Sequence, residues 1–240
     1  MYAIGALKKT GKSKFAIFLS IILKQAGANI LWNSLEMSPF QLNSCVLAYF
    51  MQCDLRSFGR QLPENDYRQL HEKINDLYGL DWTISNEKNV RDLRARILFE
   101  KSKRSVDIVI VDFIQRMEEP ELRRDRVREV EYIAKELANI SREQNVAMIV
   151  LSQLSGIAER LGADEMPNMS HFKESQGIPE NSDTIITLHN FQRRENPFNQ
   201  DGSYRLQEIN CLIEQRYGFS GCCFKILGDL RNCTFSDYRE

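Results

Sequence analysis

Among the six cysteines of this 240-residue sequence (Cys45, Cys53, Cys211, Cys222, Cys223 and Cys233) there is no Cys-x-x-Cys pair, and no histidine stands at zinc-site spacing from them. These absences exclude a zinc-stapled or disulfide-framed fold, and the thiols read as reduced groups of a cytosolic protein. No apolar run approaches the ~20 residues that cross a bilayer, and no charged-then-apolar leader precedes the first strand. Neither a membrane span nor a secreted protein is therefore expected. An excess of one charge is missing too. The net charge is −1, which excludes a global basic field and confines any nucleic-acid contact to a local surface. There are no internal repeats or low-complexity segments, and 42% hydrophobic residues over this length suit one large α/β domain across residues 1–240.

What is present is an alternation of strand and helix periods, the order expected of a mainly parallel sheet with crossover helices. Phe15, Phe18, Leu19, Ile22 and Leu23 fall on one helical stripe that stops at Gly27. Residues 29–34 read as a buried strand. Ser38 followed by Pro39 is an N-cap with proline at the first helical position, opening a helix through about Met51. Residues 54–101 read as mostly helical, with a short strand near 82–84. The most apolar run, residues 106–111, reads as a central strand ending at Asp112. Val127, Val130, Ala134, Leu137 and Ile140 mark another amphipathic helix, and residues 147–151 another buried strand. Beyond about Asp183, four strand-like segments (184–188, 206–213, 222–227 and 233–235) follow without helices, so the sheet is expected to finish antiparallel. Residues 156–181 and 192–204 read as long loops.

The segment Ala6-Leu7-Lys8-Lys9-Thr10-Gly11-Lys12-Ser13 lies between the first strand and the first helix, the context a phosphate-binding loop requires. Backbone N–H groups at a helix N-terminus suit a polyphosphate. Lys12 can reach terminal phosphates, and the Ser13 hydroxyl can ligate the accompanying Mg²⁺. The strict pattern has glycine first; here Ala6 occupies that place and Gly5 stands one residue early. Asp112 is placed to hold the Mg²⁺ water shell near Ser13. Glu36 follows the 29–34 strand and can orient and deprotonate a water. Gln153 ends the 147–151 strand, where an amide can sense a γ-phosphate. Each has an ordinary reading as well: a strand end, or, for Glu36, an acid favouring the next helix N-terminus. All three lie at carboxyl ends of expected parallel strands, the edge where open α/β sheets bind ligands.

These residues resemble the motor domain of DnaB-like replicative helicases, which has a RecA-like P-loop ATPase core. Residues 6–13 resemble that family's phosphate loop, which tolerates alanine at the first position. Ser34-Leu35-Glu36-Met37-Ser38 matches the segment with its catalytic glutamate, and Ile110-Val111-Asp112-Phe113-Ile114-Gln115 its Walker B strand. Leu151-Ser152-Gln153-Leu154-Ser155 matches its sensor strand, and Lys173-Glu174-Ser175 resembles part of its DNA-contacting loop. Gln215-Arg216, followed by Gly218, resembles the turn bearing its arginine finger. The resemblance covers roughly residues 1–240. It implies an α/β RecA-like fold in which Ala6, Thr10, Gly11, Lys12, Ser13 and Gln215 contact ATP, and Ser13 and Asp112 hold Mg²⁺. It also implies that Glu36 is the base, Gln153 couples γ-phosphate to the DNA loops, and Arg216 reaches into a neighbouring subunit's site. Lys173 and Glu174 would meet single-stranded DNA. The implied assembly is a hexameric ring in the full-length context, cytoplasmic, with a primase or helicase loader as partner.

The sequence departs from that family in places. Where relatives carry a lysine two residues before the finger arginine, it has Glu214; Gln176 stands where a loop glycine is usual, and Cys45 where arginine is common. It begins almost inside the first strand, so the linker helix and N-terminal collar domain of relatives are expected to be absent, in a fragment or a natural stub. Two other readings stay open here: a nucleotide-binding accessory module with weak turnover, and another RecA-like recombination ATPase. The arginines Arg123, Arg124, Arg126 and Arg128 either face a DNA channel or form a solvated face balanced by Glu118, Glu119, Glu121 and Asp125.

Overall fold

The computed structural model describes residues 1–54, 82–162, 165–172, 176–200, 203–215 and 221–238. Among them, segments rich in β-branched residues form β1 (Tyr2–Ala6), β2 (Ile30–Ser34), β3 (Thr83–Ser85), β4 (Ile108–Asp112), β5 (Ala147–Gln153), β6 (Thr184–His189), β7 (Gln207–Gln215), β8 (Cys222–Asp229) and β9 (Thr234–Asp237). They build a single sheet in the order β3-β2-β4-β5-β1-β6-β7-β8-β9. From β3 to β6 every pairing is parallel, and from β6 to β9 every pairing is antiparallel. The expected antiparallel finish is thus present, with β6 as the strand that joins the two halves.

Among the described residues, four helices cover the parallel half: α1 (Lys12–Gln25), α2 (Pro39–Met51), α3 (Val90–Lys101) and α4 (Arg126–Glu143). Successive strand residues point to opposite faces. In β2 and β4, Leu31, Val109 and Val111 join the core under α3 and α4, while Trp32, Ile108 and Ile110 join the core under α1 and α2. Burial on both faces explains why these strands read as continuous apolar runs rather than as alternations. Leu137 sits fully buried on α4 in the first core. Leu137→Ala is expected to lower the unfolding free energy by about 2–5 kcal/mol in urea titration; a loss within experimental error would contradict the packing described.

Local details differ from expectation where helices are apolar on more than one side. In α1 the deeply buried face is Ala16, Ile17, Ser20 and Ile21, and Ile22 from the expected stripe is exposed. The sheet takes the slim face, while Phe15 and Phe18 flank it and pack on the Phe235 ring at centroid distances of 5.3 Å. In α4, Val127 is exposed and Glu129 is buried instead, because Glu129 pairs with Arg126 at 2.6 Å and accepts from the Glu119 N–H at 2.6 Å. The expected loop 156–181 contains the short helical turns Gly156–Arg160, Met169–His171 and Gly177–Glu180. Of the segment 54–101, residues 55–81 lie outside the described residues; the remainder holds β3 and α3.

The carboxyl ends of the parallel strands lie in register. Ser34 pairs with Asp112, and Ala6 pairs with Gln153 on one side and Leu188 on the other. Every sequence-expected group on β1, β2, β4 and β5 therefore emerges at one edge of the sheet.

Candidate active site

Between β1 and α1 the chain turns through residues 7–11, with Lys9 and Gly11 at φ 66° and 99°. Gly11 is the N-cap of α1, and glycine is favoured there for two reasons. Its φ is left-handed, and a Cβ would stand 2.7 Å from Leu230 Cδ2. Helices α2, α3 and α4 are capped by the side chains of Ser38, Asn89 and Asp125. Helix α1 has no side-chain cap and no acid in its first turn, which leaves its N–H groups and dipole to face an anion.

That N-terminus opens into a cleft of about 680 Å³. Its floor is the loop, with Ala6, Gly11, Lys12 and Ser13 among the lining residues, and Glu36 and Gln153 stand in its walls. Ala6 is the last residue of β1, so the first place of the motif belongs to the sheet. Gly5 answers a packing need instead, since a Cβ there would meet the Phe172 ring at 2.7 Å and Leu154 at 2.8 Å. Thr10 is buried outside the cleft lining, and its Oγ1 has no hydrogen-bond partner.

Lys12 rests with its Nζ 4.6 Å from the centroid of the Phe113 ring. Burial lowers its pKa, and the Asp112 and Glu36 carboxylates oppose that shift. Asp112 is fully buried at the end of β4. Burial pushes its carboxyl up to about 6, against the nearby Lys12 charge and the hydrogen bond from Ser13. One of its oxygens, Oδ1, accepts from Ser13 Oγ at 3.3 Å, while Oδ2 is buried without a partner. An orphaned carboxylate oxygen beside a hydroxyl is a hard-oxygen pair that fits Mg²⁺.

Glu36 is exposed toward the cleft on a connection tied down on both sides. The Leu35 N–H donates to the Asp112 carbonyl at 2.8 Å, and Ser34 Oγ donates to the Met37 carbonyl at 2.6 Å. Gln115 then joins the ends of β4 and β5. Its Nε2 donates to Ser152 Oγ at 2.9 Å and to the Gln153 carbonyl at 3.2 Å, and its Oε1 accepts from the Gln153 N–H at 3.1 Å. The Gln153 backbone is thus fixed, leaving its side chain at the cleft wall.

Of the remaining expected site residues that the structure describes, Gln215 is not brought into this cleft. Gln215, at the end of β7, lines a separate cavity with Met169, Pro179, Ile185 and Glu214. Glu214 Oε2 accepts from the Met169 N–H at 3.1 Å, so its charge is engaged by the turn preceding residues 173–175. Lys173, Glu174 and Arg216 lie outside the described residues. Of the arginine cluster, Arg123 and Arg128 pair with Glu118 and Asp125, as a solvated face would, and Arg126 also donates to the Met117 and Gln115 carbonyls.

The sequence reading missed Lys14, Gln41, Arg116 and Leu230, which also line the cleft. Lys14 donates to the Leu230 carbonyl, closing the cleft with the turn between β8 and β9. A second cavity adjoins at this end, sharing Lys9, Lys14 and Leu230 and lined further by Phe198, Tyr204 and Arg231. The Arg231 guanidinium lies 4.2 Å from the Tyr204 ring centroid.

Residues 1–223 match the family described as DnaB-like helicase C terminal domain. A probable replicative DNA helicase of Trieres chinensis is 30% identical over 236 residues, covering 95% of this chain and 51% of that protein. The replicative DNA helicase DnaB of Geobacillus stearothermophilus is 28% identical over 222 residues, covering 90% of this chain and 47% of that protein. The chain thus spans about half the length of these curated relatives. Among solved structures, a DnaB-like replicative helicase, described together with its interactions with primase, superposes with a TM-score of 0.86 at 20% identity, covering 100% of this chain and 57% of that one. A solved ATPase domain gives the same TM-score of 0.86 at 19% identity, covering 99% and 84%. At these identities the superpositions establish the fold: a mixed sheet, mostly parallel, flanked by helices.

Proposed function

The chain belongs to the DnaB-like helicase C-terminal domain family, and on that premise we propose that it is the ATP-hydrolysing motor of a replicative DNA helicase, working in the cytoplasm. The observation that supports this most is the convergence of Lys12, Ser13, Glu36 and Gln153 on one cleft, with Asp112 buried beside Ser13. The triphosphate lies over the uncapped N-terminus of α1, with Lys12 as a mobile cation on its terminal phosphates. Its base and ribose extend past Lys14 and Leu230 toward Tyr204 and Arg231. Ser13 and Asp112 would hold Mg²⁺, which would neutralise phosphate charge. Glu36, on its tethered connection, orients a water and takes its proton as the water oxygen bonds to the terminal phosphorus and the bond from that phosphorus to the β–γ bridging oxygen breaks, with ADP as the leaving group and inorganic phosphate as the other product.

Gln153 senses whether that phosphate is present and passes the state beyond the end of β5, where Leu154 bridges Phe172, to Lys173 and Glu174, which meet single-stranded DNA. Gln215 and Arg216 act on the site of a neighbouring subunit, and Arg216 stabilises charge there. The separation of Gln215 from its own chain's cleft supports such an action in trans. Six chains form a ring, in the context of the longer protein that relatives of twice this length represent, and a primase or loader engages that assembly. The nucleotide part of this reading is tested by titrating the chain with a non-hydrolysable ATP analogue in Mg²⁺ and again in EDTA. Binding that chelation weakens is expected, with Asp112→Asn narrowing the difference. No binding in either condition would remove the basis for a motor.

A further inference from the structure

The turn after Asp112 exposes one cation to the cleft that the motifs do not account for. In the 3₁₀ turn Ile114–Arg116, Ile114 is fully buried, as is Met117 directly after it, and the Gln115 amide is committed to the end of β5. Arg126 holds the same turn from the other side, donating to the Gln115 carbonyl at 2.8 Å and the Met117 carbonyl at 3.2 Å. With the backbone fixed from both sides and its neighbours turned inward, Arg116 is left exposed and lines the cleft wall together with Glu36 and Gln153. Its guanidinium lies 5.7 Å from the Phe113 ring centroid, the ring on which Lys12 also rests. Arg123, Arg126 and Arg128, which follow on the same stretch, each meet a carboxylate. Arg116 forms no ion pair among the described residues.

We infer that Arg116 contacts the terminal phosphate of ATP from within the same chain and makes the site discriminate triphosphate from diphosphate. The inference rests on the nucleotide reading above. Two features place the contact at the terminal phosphate. Arg116 belongs to the β4 and β5 side of the cleft, with the group assigned to water activation and the group assigned to phosphate sensing. Lys14 and Leu230 mark the other end, where the adjoining cavity and its aromatic rings begin. The chemistry fits as well. A guanidinium is charged at all working pH values and presents a planar fork that meets phosphate oxygens in pairs, and one without a carboxylate partner needs no ion pair broken to do so. Arg116 is thereby separate from Arg216, whose proposed action is on a neighbour.

The test is equilibrium titration of the 240-residue chain with fluorescent ADP and with a fluorescent non-hydrolysable ATP analogue, in Mg²⁺, for wild type, Arg116→Ala and Arg116→Lys. For Arg116→Ala, triphosphate affinity is expected to fall about 10- to 100-fold, the value of charge-assisted hydrogen bonds, while ADP affinity changes by less than about twofold. Arg116→Lys keeps the charge without the fork and is expected to lie between. Unchanged ADP binding also reports that the variant is folded. Equal effects on both nucleotides, or no effect on either, would overturn the assignment. A triphosphate loss that appears only at concentrations where chains associate would overturn it too, by moving Arg116 to the neighbour's site. If wild type binds neither nucleotide, the nucleotide reading itself fails, an outcome distinct from all of these.

Discussion

Lys12→Ala is expected to weaken ATP binding by about 10²- to 10³-fold, the loss of two charge-assisted contacts to phosphate oxygens. The reason lies in what surrounds the amine. Lys12 is held against the Phe113 ring with Asp112 and Glu36 as the charges that favour its protonated form. Removing it leaves two carboxylates facing an incoming polyanion with less positive charge between them. Lys12→Met separates charge from packing, because it keeps an apolar stem on Phe113 and loses only the ammonium. The same loss of affinity in both variants, with unfolding midpoints close to wild type, assigns the effect to charge. Binding that survives both substitutions would show that the phosphates do not lie over this loop.

Glu36→Gln is expected to leave ATP binding in place and lower the turnover number by about 10²- to 10⁴-fold, the range for loss of a general base. The amide is isosteric with the carboxylate and can still orient a water, but it cannot take the proton. Its backbone is held by the Leu35 N–H to Asp112 carbonyl bond and the Ser34 hydroxyl to Met37 carbonyl bond, neither of which involves the altered side chain. A structural explanation for lost turnover is thereby made testable: thermal unfolding should not shift. Normal hydrolysis by Glu36→Gln would end the assignment of Glu36 as the base.

Much of this site was legible because its parts are local. The residues at the ends of β2, β4 and β5 are each announced by an apolar strand that ends in a polar group, and those after β1 by the loop motif; parallel pairing brings such ends to one edge without further information. The short strings around Glu36 and Gln153 then specified a family. Contacts made across the chain were not legible. Leu230 packs against Gly11 and accepts from Lys14, residues more than 200 positions away, and nothing in its own neighbourhood signals that role. Arg116 was hidden among arginines, and only the inward turning of Ile114, Gln115 and Met117 singles it out. Which face of α1 meets the sheet was not legible, for a physical reason as well. A helix with Phe15, Phe18, Ile17, Ile21 and Ile22 has apolar groups nearly all round, so periodicity does not say which side meets the sheet and which meets Phe235. What the Glu214 carboxylate meets was not legible either, since it accepts from the Met169 N–H of the turn 169–171, 45 positions away.

The most direct measurement is steady-state ATP hydrolysis at several protein concentrations, with and without single-stranded DNA, using Lys12→Ala as the control. A motor whose sites are completed by neighbouring chains should turn over faster as concentration rises, faster again with DNA, and not at all without Lys12. Tight ATP binding with no turnover at any concentration, with or without DNA, would contradict the motor and leave a nucleotide-binding module in its place.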